Sequence, residues 1–364
     1  MSFFKEDKNM SWEKYVRKVE PYVPGEQPKN RGVIKLNTNE CPYPPSKKVK
    51  RALKKIDDKK LRLYPDPQAS ELVEVLADYY DVKKEQVFVG VGSDDVLAMS
   101  FLTFFNSKKP ILFPDITYSF YDVWAELYRI PYERIPLNEK FEINPEDYDR
   151  DNGGIVIANP NAPTGLMTGR ASIEKILKDN KNSLVIVDEA YVDFGGESCI
   201  PLVNQYDNLL VVQTFSKSRA LAGMRIGFAI GNKKLIKYLL DAKFSFNSYT
   251  MNLPSLELGV ASVKDDKYFK ETVQKVIRTR EWTKIQLKEL GFTFPDSKTN
   301  FIFAKHGEVS AKELFEMLKK EKIYVRYFNK PRIDNYLRIS IGTDEQMQKL
   351  IACLTKYLDK KKHN

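Results

Sequence analysis

Short, continuous apolar runs punctuate the first two thirds of the chain: Val87-Phe-Val89, Ile111-Leu-Phe113, Gly154-Ile-Val-Ile-Ala158, Leu184-Val-Ile-Val187, Leu209-Leu-Val-Val212 and Phe228-Ala-Ile230. Runs of this length, bounded by turn residues, read as buried strands. Between them lie helical stripes, such as Leu72, Val75, Leu76 and Tyr79 within 70–80, and the apolar stretch 96–105. Ser46 caps an earlier helix, and Pro21-Tyr-Val-Pro-Gly25 makes the start of the chain an extended arm. Further on the pattern changes. Residues 268–290 form one long polar-faced helix, 244–247 a turn, and then strand 300–303, helix 311–320, strand 323–325, strand 336–342 and helix 345–358 follow. The expected division is an arm over 1–32, a large α/β domain over 33–245 and a smaller α/β domain over 246–364.

The turns between these elements hold the candidate chemistry. The densest is Gln213-Thr-Phe-Ser216-Lys217-Ser-Arg-Ala-Leu-Ala-Gly223-Met-Arg225-Ile-Gly227, set between two apolar runs. A lysine at a strand-to-turn junction is partly desolvated. Desolvation and the neighbouring Arg225 both favour its neutral amine, the form that attacks an aldehyde. Gly90-Val-Gly92-Ser93-Asp94 joins a strand to a helix, where free N–H groups and the helix dipole favour an anion. The third glycine of a dinucleotide fingerprint is absent, which favours a single-phosphate cofactor. Asn159-Pro-Asn161-Ala-Pro-Thr-Gly165 closes the next strand with turn chemistry alone. Asp188, in Asp188-Glu-Ala-Tyr191, ends a buried strand, where α/β sheets present groups to a ligand crevice; capping the next segment is its simpler task.

Composition narrows the classes. The 364 residues suffice for two domains, and 42% hydrophobic with 30% charged content is ordinary for a globular chain. A formal net charge of +10 raises nucleic acid or an anionic substrate. The lysines are scattered, however, and the tight run Lys360-Lys-Lys362 lies at the C-terminal end, so a nucleic-acid footprint is not expected. Cys41, Cys199 and Cys353 are too few and too far apart for a disulfide framework or thiolate cluster. His306 and His363 leave no room for a His-ligated metal or a conventional triad, so no metal is expected. The N-terminal residues carry no signal-peptide core, and no run is long enough to span a bilayer. A cytoplasmic chain without a membrane partner is expected.

The lysine turn resembles the cofactor-binding segment of fold-type I aminotransferases, which depend on pyridoxal 5′-phosphate. Asp188 to Tyr191 and Asn159 to Gly165 are similar to motifs of that family. Pro21-Tyr22-Val-Pro-Gly25 narrows the resemblance to its histidinol-phosphate branch, over about Pro21 to Leu358. The resemblance implies a mostly parallel seven-stranded sheet flanked by helices, plus a smaller α/β C-terminal domain. It implies that Lys217 holds the cofactor and, once freed, acts as general base. Ser216, Arg225 and the Gly92, Ser93 and Asp94 amides would take the phosphate. Tyr118 would lie against the ring, Asp188 would pair with the ring nitrogen and Tyr191 would reach the 3-oxygen. Ala162 stands where the family commonly has asparagine, so Asn161 or Asn159 substitutes as second donor, or that bond is missing. Cys41 is a similar departure in the Asn37-Thr-Asn-Glu40 loop.

Also implied are a homodimer with shared sites, Tyr64 reaching the partner's cofactor phosphate, and an arm that crosses the partner and brings Tyr22 to the substrate. Asn247, Arg326 and Arg338 would line the substrate site, with Arg338 on its carboxylate or phosphate. The implied substrates are small amino acids and phosphates: L-histidinol phosphate exchanging its amino group with 2-oxoglutarate. An aromatic or broad-specificity aminotransferase, a threonine-phosphate decarboxylase of the same fold and a cofactor-binding regulator without turnover stay open beside it.

Overall fold

The computed structural model describes residues 12–28 and 32–363. In chain order, β1 (Ile34–Lys35), α1 (Lys47–Lys55) and α2 (Ser70–Tyr80) precede β2 (Val87–Gly90), α3 (Ser93–Phe104), β3 (Ile111–Pro114) and α4 (Phe120–Tyr128). There follow β4 (Tyr132–Ile135), β5 (Gly154–Ala158), α5 (Arg170–Asp179), β6 (Val185–Asp188), β7 (Leu209–Thr214), β8 (Gly227–Gly231) and α6 (Lys233–Phe246). The chain ends with α7 (Leu253–Val263), α8 (Asp266–Glu289), β9 (Phe292–Thr293), β10 (Phe301–His306), α9 (Ala311–Lys320), β11 (Ile323–Tyr324), β12 (Arg326–Tyr327), β13 (Leu337–Ser340) and α10 (Asp344–Lys362).

Seven strands form one sheet in the order β2-β8-β7-β6-β5-β3-β4. β8 is antiparallel to both its neighbours, and the other six run one way. The continuous apolar runs follow from burial on both faces. Val87, Val89, Ile155, Ile157, Val185, Val187, Leu209 and Val211 point into one core with residues of α2, α5 and α7. Their alternates Phe88, Val156, Ile186, Leu210 and Val212 point into the other, with α3, α4 and α6. This is the expected mostly parallel seven-stranded sheet. The reversal of β8 has a consequence for function: its first residue lies at the same edge as the last residues of β2 and β7, so Arg225, just before β8, meets groups that follow the parallel strands.

A second, antiparallel sheet of order β12-β13-β10-β9 packs with α8, α9 and α10 around a separate core. Packing divides the chain elsewhere than the expected boundaries at 33 and 246. β1 pairs in parallel with β11, and Leu36 is buried in the small core, so the segment after the arm belongs with the C-terminal domain. Met251, Leu256, Leu258, Val260 and Val263 are buried in the large core, which therefore extends through α7. Residues 244–246, expected as a turn, are the last turn of α6, with Asn247 as its C-cap. Ser46 caps α1 as expected, accepting from the Val49 N–H.

Candidate active site

At the edge where the parallel strands end, an open cavity of about 550 Å³ is lined by Lys217, Asp188, Tyr191, Tyr118, Ser216 and Arg225, with Ser93 and Asp94 at one side. One side is a cradle for an anion. α3 begins directly after Gly92, whose φ of +88° is one that glycine adopts without strain. A Cβ there would lie 2.5 Å from Arg225 Nη2, and a Cβ on Gly227 would lie 2.3 Å from the Gly92 carbonyl carbon and the Ser93 nitrogen. Two glycines thus let the turn and the start of β8 close on each other. Arg225 donates to Ser216 Oγ at 3.3 Å and pairs with Asp94 at 3.2 Å, its side chain 43% exposed. First-turn N–H groups, one hydroxyl and one half-exposed guanidinium are a phosphate-binding set.

The other side holds the groups for chemistry. Asp188, the last residue of β6, is buried; its carboxylate accepts from the Tyr121 hydroxyl at 2.9 Å and the Ala190 N–H at 3.2 Å. Burial pushes its pKa up to about 6, opposed by those two bonds and by Lys217. The next residue, Glu189, is turned to other partners, namely Ser198, the Cys199 N–H and Gln213. Tyr118 donates to Asp94 at 2.9 Å, which fixes its ring at the cavity wall. Lys217 Nζ donates to the Thr38 carbonyl at 3.3 Å and stands 5.7 Å from the centroid of the Tyr191 ring. The Tyr191 hydroxyl accepts from Asn39 Nδ2 at 2.9 Å, which leaves its own proton free for a ligand.

Arg338 is half-buried, donates to the Asn37 carbonyl at 3.0 Å and keeps its buried Nε without a partner. Burial lowers its pKa, and Arg326 acts in the same sense. The two arginines are register partners across β12 and β13, so they share a face. Among the described residues neither meets a carboxylate. Arg326 instead donates to the Val23 and Pro24 carbonyls at 3.3 and 3.5 Å.

Several expected positions lie outside the lining of this cavity. Asn161 is buried and spent on its own turn: it donates to the Ile116 carbonyl and Thr164 Oγ1 and accepts from Thr117. Asn159 closes on Thr168 in the same way. Ala158, Pro160 and Ala162 face the cavity from this segment and neither asparagine does, so neither takes the vacated place. Within this chain the described part of the arm is held by Arg326 and by an Asn37 bond to the Glu26 carbonyl, and Tyr22 stacks on Phe120 at 4.2 Å. Tyr64 is 82% exposed and stacks on Tyr249, away from the cavity of its own chain, and Asn247 is exposed. Two site residues escaped the sequence reading. Tyr121 follows Tyr118 by three positions, and its N–H donates to the Tyr118 carbonyl at 3.1 Å across the start of α4. Asn39 has partners at Tyr191, Asn300 and Ser340, distant in the chain, so no local signal marks it.

The profile of the family described as aminotransferase class I and II matches residues 31–354. The chain belongs to that family, whose members use pyridoxal phosphate. More narrowly, it is 53% identical over 351 residues to a histidinol-phosphate aminotransferase of Lactococcus lactis, covering 96% of this chain and 98% of that one. A histidinol-phosphate aminotransferase of Clostridium botulinum is 53% identical over 349 residues, with 96% and 99% covered. A solved structure of the Sinorhizobium meliloti histidinol-phosphate aminotransferase, in complex with pyridoxal-5′-phosphate, superposes with a TM-score of 0.82 at 20% identity, over 90% of this chain and 91% of that one. The residues present fit that group: a phosphate-sized cradle closed by two glycines, a buried carboxylate and a lysine share one cavity.

Proposed function

We propose that this chain exchanges an amino group between L-histidinol phosphate and 2-oxoglutarate, with pyridoxal phosphate held by Lys217. The names of its relatives at 53% identity support that substrate. The observation that carries the reading is a pair of guanidiniums, Arg326 and Arg338, opposite each other across β12 and β13. Like charges on directly opposite residues repel, and here no carboxylate relieves them among the described residues. Adjacent carbonyls tie the two parts together: that of Asn37 accepts from Arg338, and that of Thr38 accepts from Lys217. An anion bound by this pair is thus linked to the reacting amine through one short stretch of backbone. Both substrates carry such an anion, a carboxylate in one and a phosphate in the other, and a planar guanidinium fork serves either.

Bound in the cavity, pyridoxal phosphate supplies an aldehyde for amine exchange and a ring that withdraws an electron pair from a deprotonated carbon. Ser216, Arg225 and the first-turn amides of α3 would hold its phosphate. Asp188, oriented by Tyr121, would pair with the ring nitrogen and keep it protonated. Tyr191, oriented by Asn39, would donate to the 3-oxygen without help from the Asn159–Gly165 turn. With its amine free, Lys217 Nζ would take a proton from the substrate carbon and deliver it to the cofactor carbon that carried the aldehyde.

The active species is a homodimer. Leu61, Leu63, Tyr64, Phe246 and Tyr249 are 45–82% exposed, and the Tyr64–Tyr249 stack joins the loop before α2 to the end of α6 in an apolar patch suited to a second copy. Tyr64 on that patch serves the partner's phosphate. No helix among the described residues is long and apolar enough to cross a membrane, which accords with a cytoplasmic enzyme. A substrate panel tests the reading: purified enzyme is mixed in single turnovers with histidinol phosphate, glutamate, phenylalanine or threonine phosphate while the cofactor absorbance is followed. Histidinol phosphate and glutamate should react fastest. Faster reaction with phenylalanine, or carbon dioxide release from threonine phosphate, would replace this reading.

A further inference from the structure

Lys243, in α6, is 2% exposed, and the chemistry above makes no use of it. Its ammonium donates to the Pro67 carbonyl at 3.0 Å and the Val89 carbonyl at 3.4 Å, and stands 5.7 Å from the Phe88 ring centroid. Burial lowers its pKa; the charges of Asp95 and Asp66 oppose that. An ammonium held in a core by carbonyls alone is costly, and such groups persist where they specify an arrangement.

The two carbonyls belong to the two segments to which the reading above assigns a cofactor phosphate. Val89 leads directly into the Gly90–Gly92 turn, which Asp95 closes by accepting from the Val91 N–H at 2.9 Å. Pro67 ends the loop that presents Tyr64, which Asp66 closes by accepting from the Gln68 and Ser70 N–H groups at 2.9 and 2.6 Å. Lys243 bridges these two otherwise self-contained turns. From this geometry we infer that Lys243 is a positioning residue that locks the phosphate-binding turn and the Tyr64 loop of one chain into a single unit. This rests on the dimeric reading above: the turn serves the chain's own site and Tyr64 serves the partner's, so each site depends on the lysine of both chains.

Mixed dimers test this. One chain carries Lys217→Ala, so the visible absorbance of lysine-bound cofactor reports the other site alone. Lys243→Met is placed either in the reporting chain or in the silent one, and pyridoxal phosphate is titrated into cofactor-free protein. Both placements should weaken binding by about tenfold, the size expected when charge-assisted bonds that hold a contact are lost. The silent-chain effect should vanish when that chain also carries Tyr64→Ala, because the two changes act through one contact. A silent-chain effect within twofold of wild type would overturn the inference. Lys243→Gln is measured in parallel; if neither variant folds, Lys243 serves folding alone and the inference is equally overturned. Failure of the dimeric reading shows separately, as wild-type chains that sediment as monomers or bind cofactor without regard to Tyr64.

Discussion

Asp188 should make the cofactor-free fold lose stability as pH rises, and Asp188→Asn should remove that dependence. The carboxyl has an ordinary pKa of 3.8, and burial in the folded chain pushes it up to about 6. A group whose folded pKa is raised contributes stability that is fully present below the unfolded value and lost as pH rises through the folded one. The window is therefore about pH 4 to 6, and above it the ionised carboxylate costs the cofactor-free fold about 3 kcal/mol. Asparagine carries no such cost, but it satisfies Tyr121 and the Ala190 N–H less well, a loss of about 1 kcal/mol. Relative to wild type, the variant should be about 1 kcal/mol less stable near pH 4 and about 2 kcal/mol more stable above pH 7. Urea unfolding of both cofactor-free proteins across that range measures the difference. Glu189, also pushed up by burial, to about 7, titrates in both proteins, so its contribution largely cancels in the subtraction. With cofactor bound the sign reverses: the carboxylate gains a protonated ring nitrogen, and the variant should bind cofactor yet turn over far more slowly. A stability difference that stays flat from pH 4 to 8 would refute the reasoning and leave Asp188 a capping residue for the segment after β6.

Borohydride reduction of the wild type should fix cofactor on the peptide containing Lys217, and Lys217→Ala should show neither that label nor measurable turnover; label on another peptide would end the reading of the site. Arg338→Lys should weaken both half-reactions by about 1.5–3 kcal/mol in single-turnover kinetics, since a point charge replaces a fork. Impairment with glutamate alone would show that the two anions use different groups. Mixing inactive Tyr64→Ala chains with inactive Lys217→Ala chains should restore activity through sites that are wild type in every residue, and no recovery after verified subunit exchange would mean that each chain builds its own site.

What could be read in the sequence follows from where physical constraints are local. Strands buried on both faces must be apolar throughout, so β2, β3 and β5 to β8 stood out as runs. The edge strand β4 did not, because Glu133 and Arg134 are exposed there and no such run forms. The turns after β2, β6 and β7 carried their chemistry in adjacent residues, and the structure brings those residues into one cavity. Asn161 shows the opposite case. Its residue type suited a cofactor donor, but the turn it occupies needs its amide for Ile116, Thr164 and Thr117, and a buried polar group is claimed first by the backbone that must be satisfied around it. Composition gives no hint of which demand wins.

The segment Ile34–Asn39 shows why the domain division was also hidden. It carries no long apolar run, yet β1 adds to β11, and Asn39, at a φ of 57°, donates to Tyr191, meets Ser340 through its backbone N–H and side chain, and accepts from Asn300 through its carbonyl. Tyr191 belongs to the large domain, and Asn300 and Ser340 to the small one. The residues between, Asn37 and Thr38, offer their carbonyls to Arg338 and Lys217. A segment of six residues thus joins the anion-binding pair, the reacting lysine and the Tyr191 hydroxyl. Arg338 and Lys217 are thereby tied to adjacent carbonyls of one segment, so the anion-binding pair and the reacting amine share a support whose partners all lie far away in the chain, which is why no local pattern announces it.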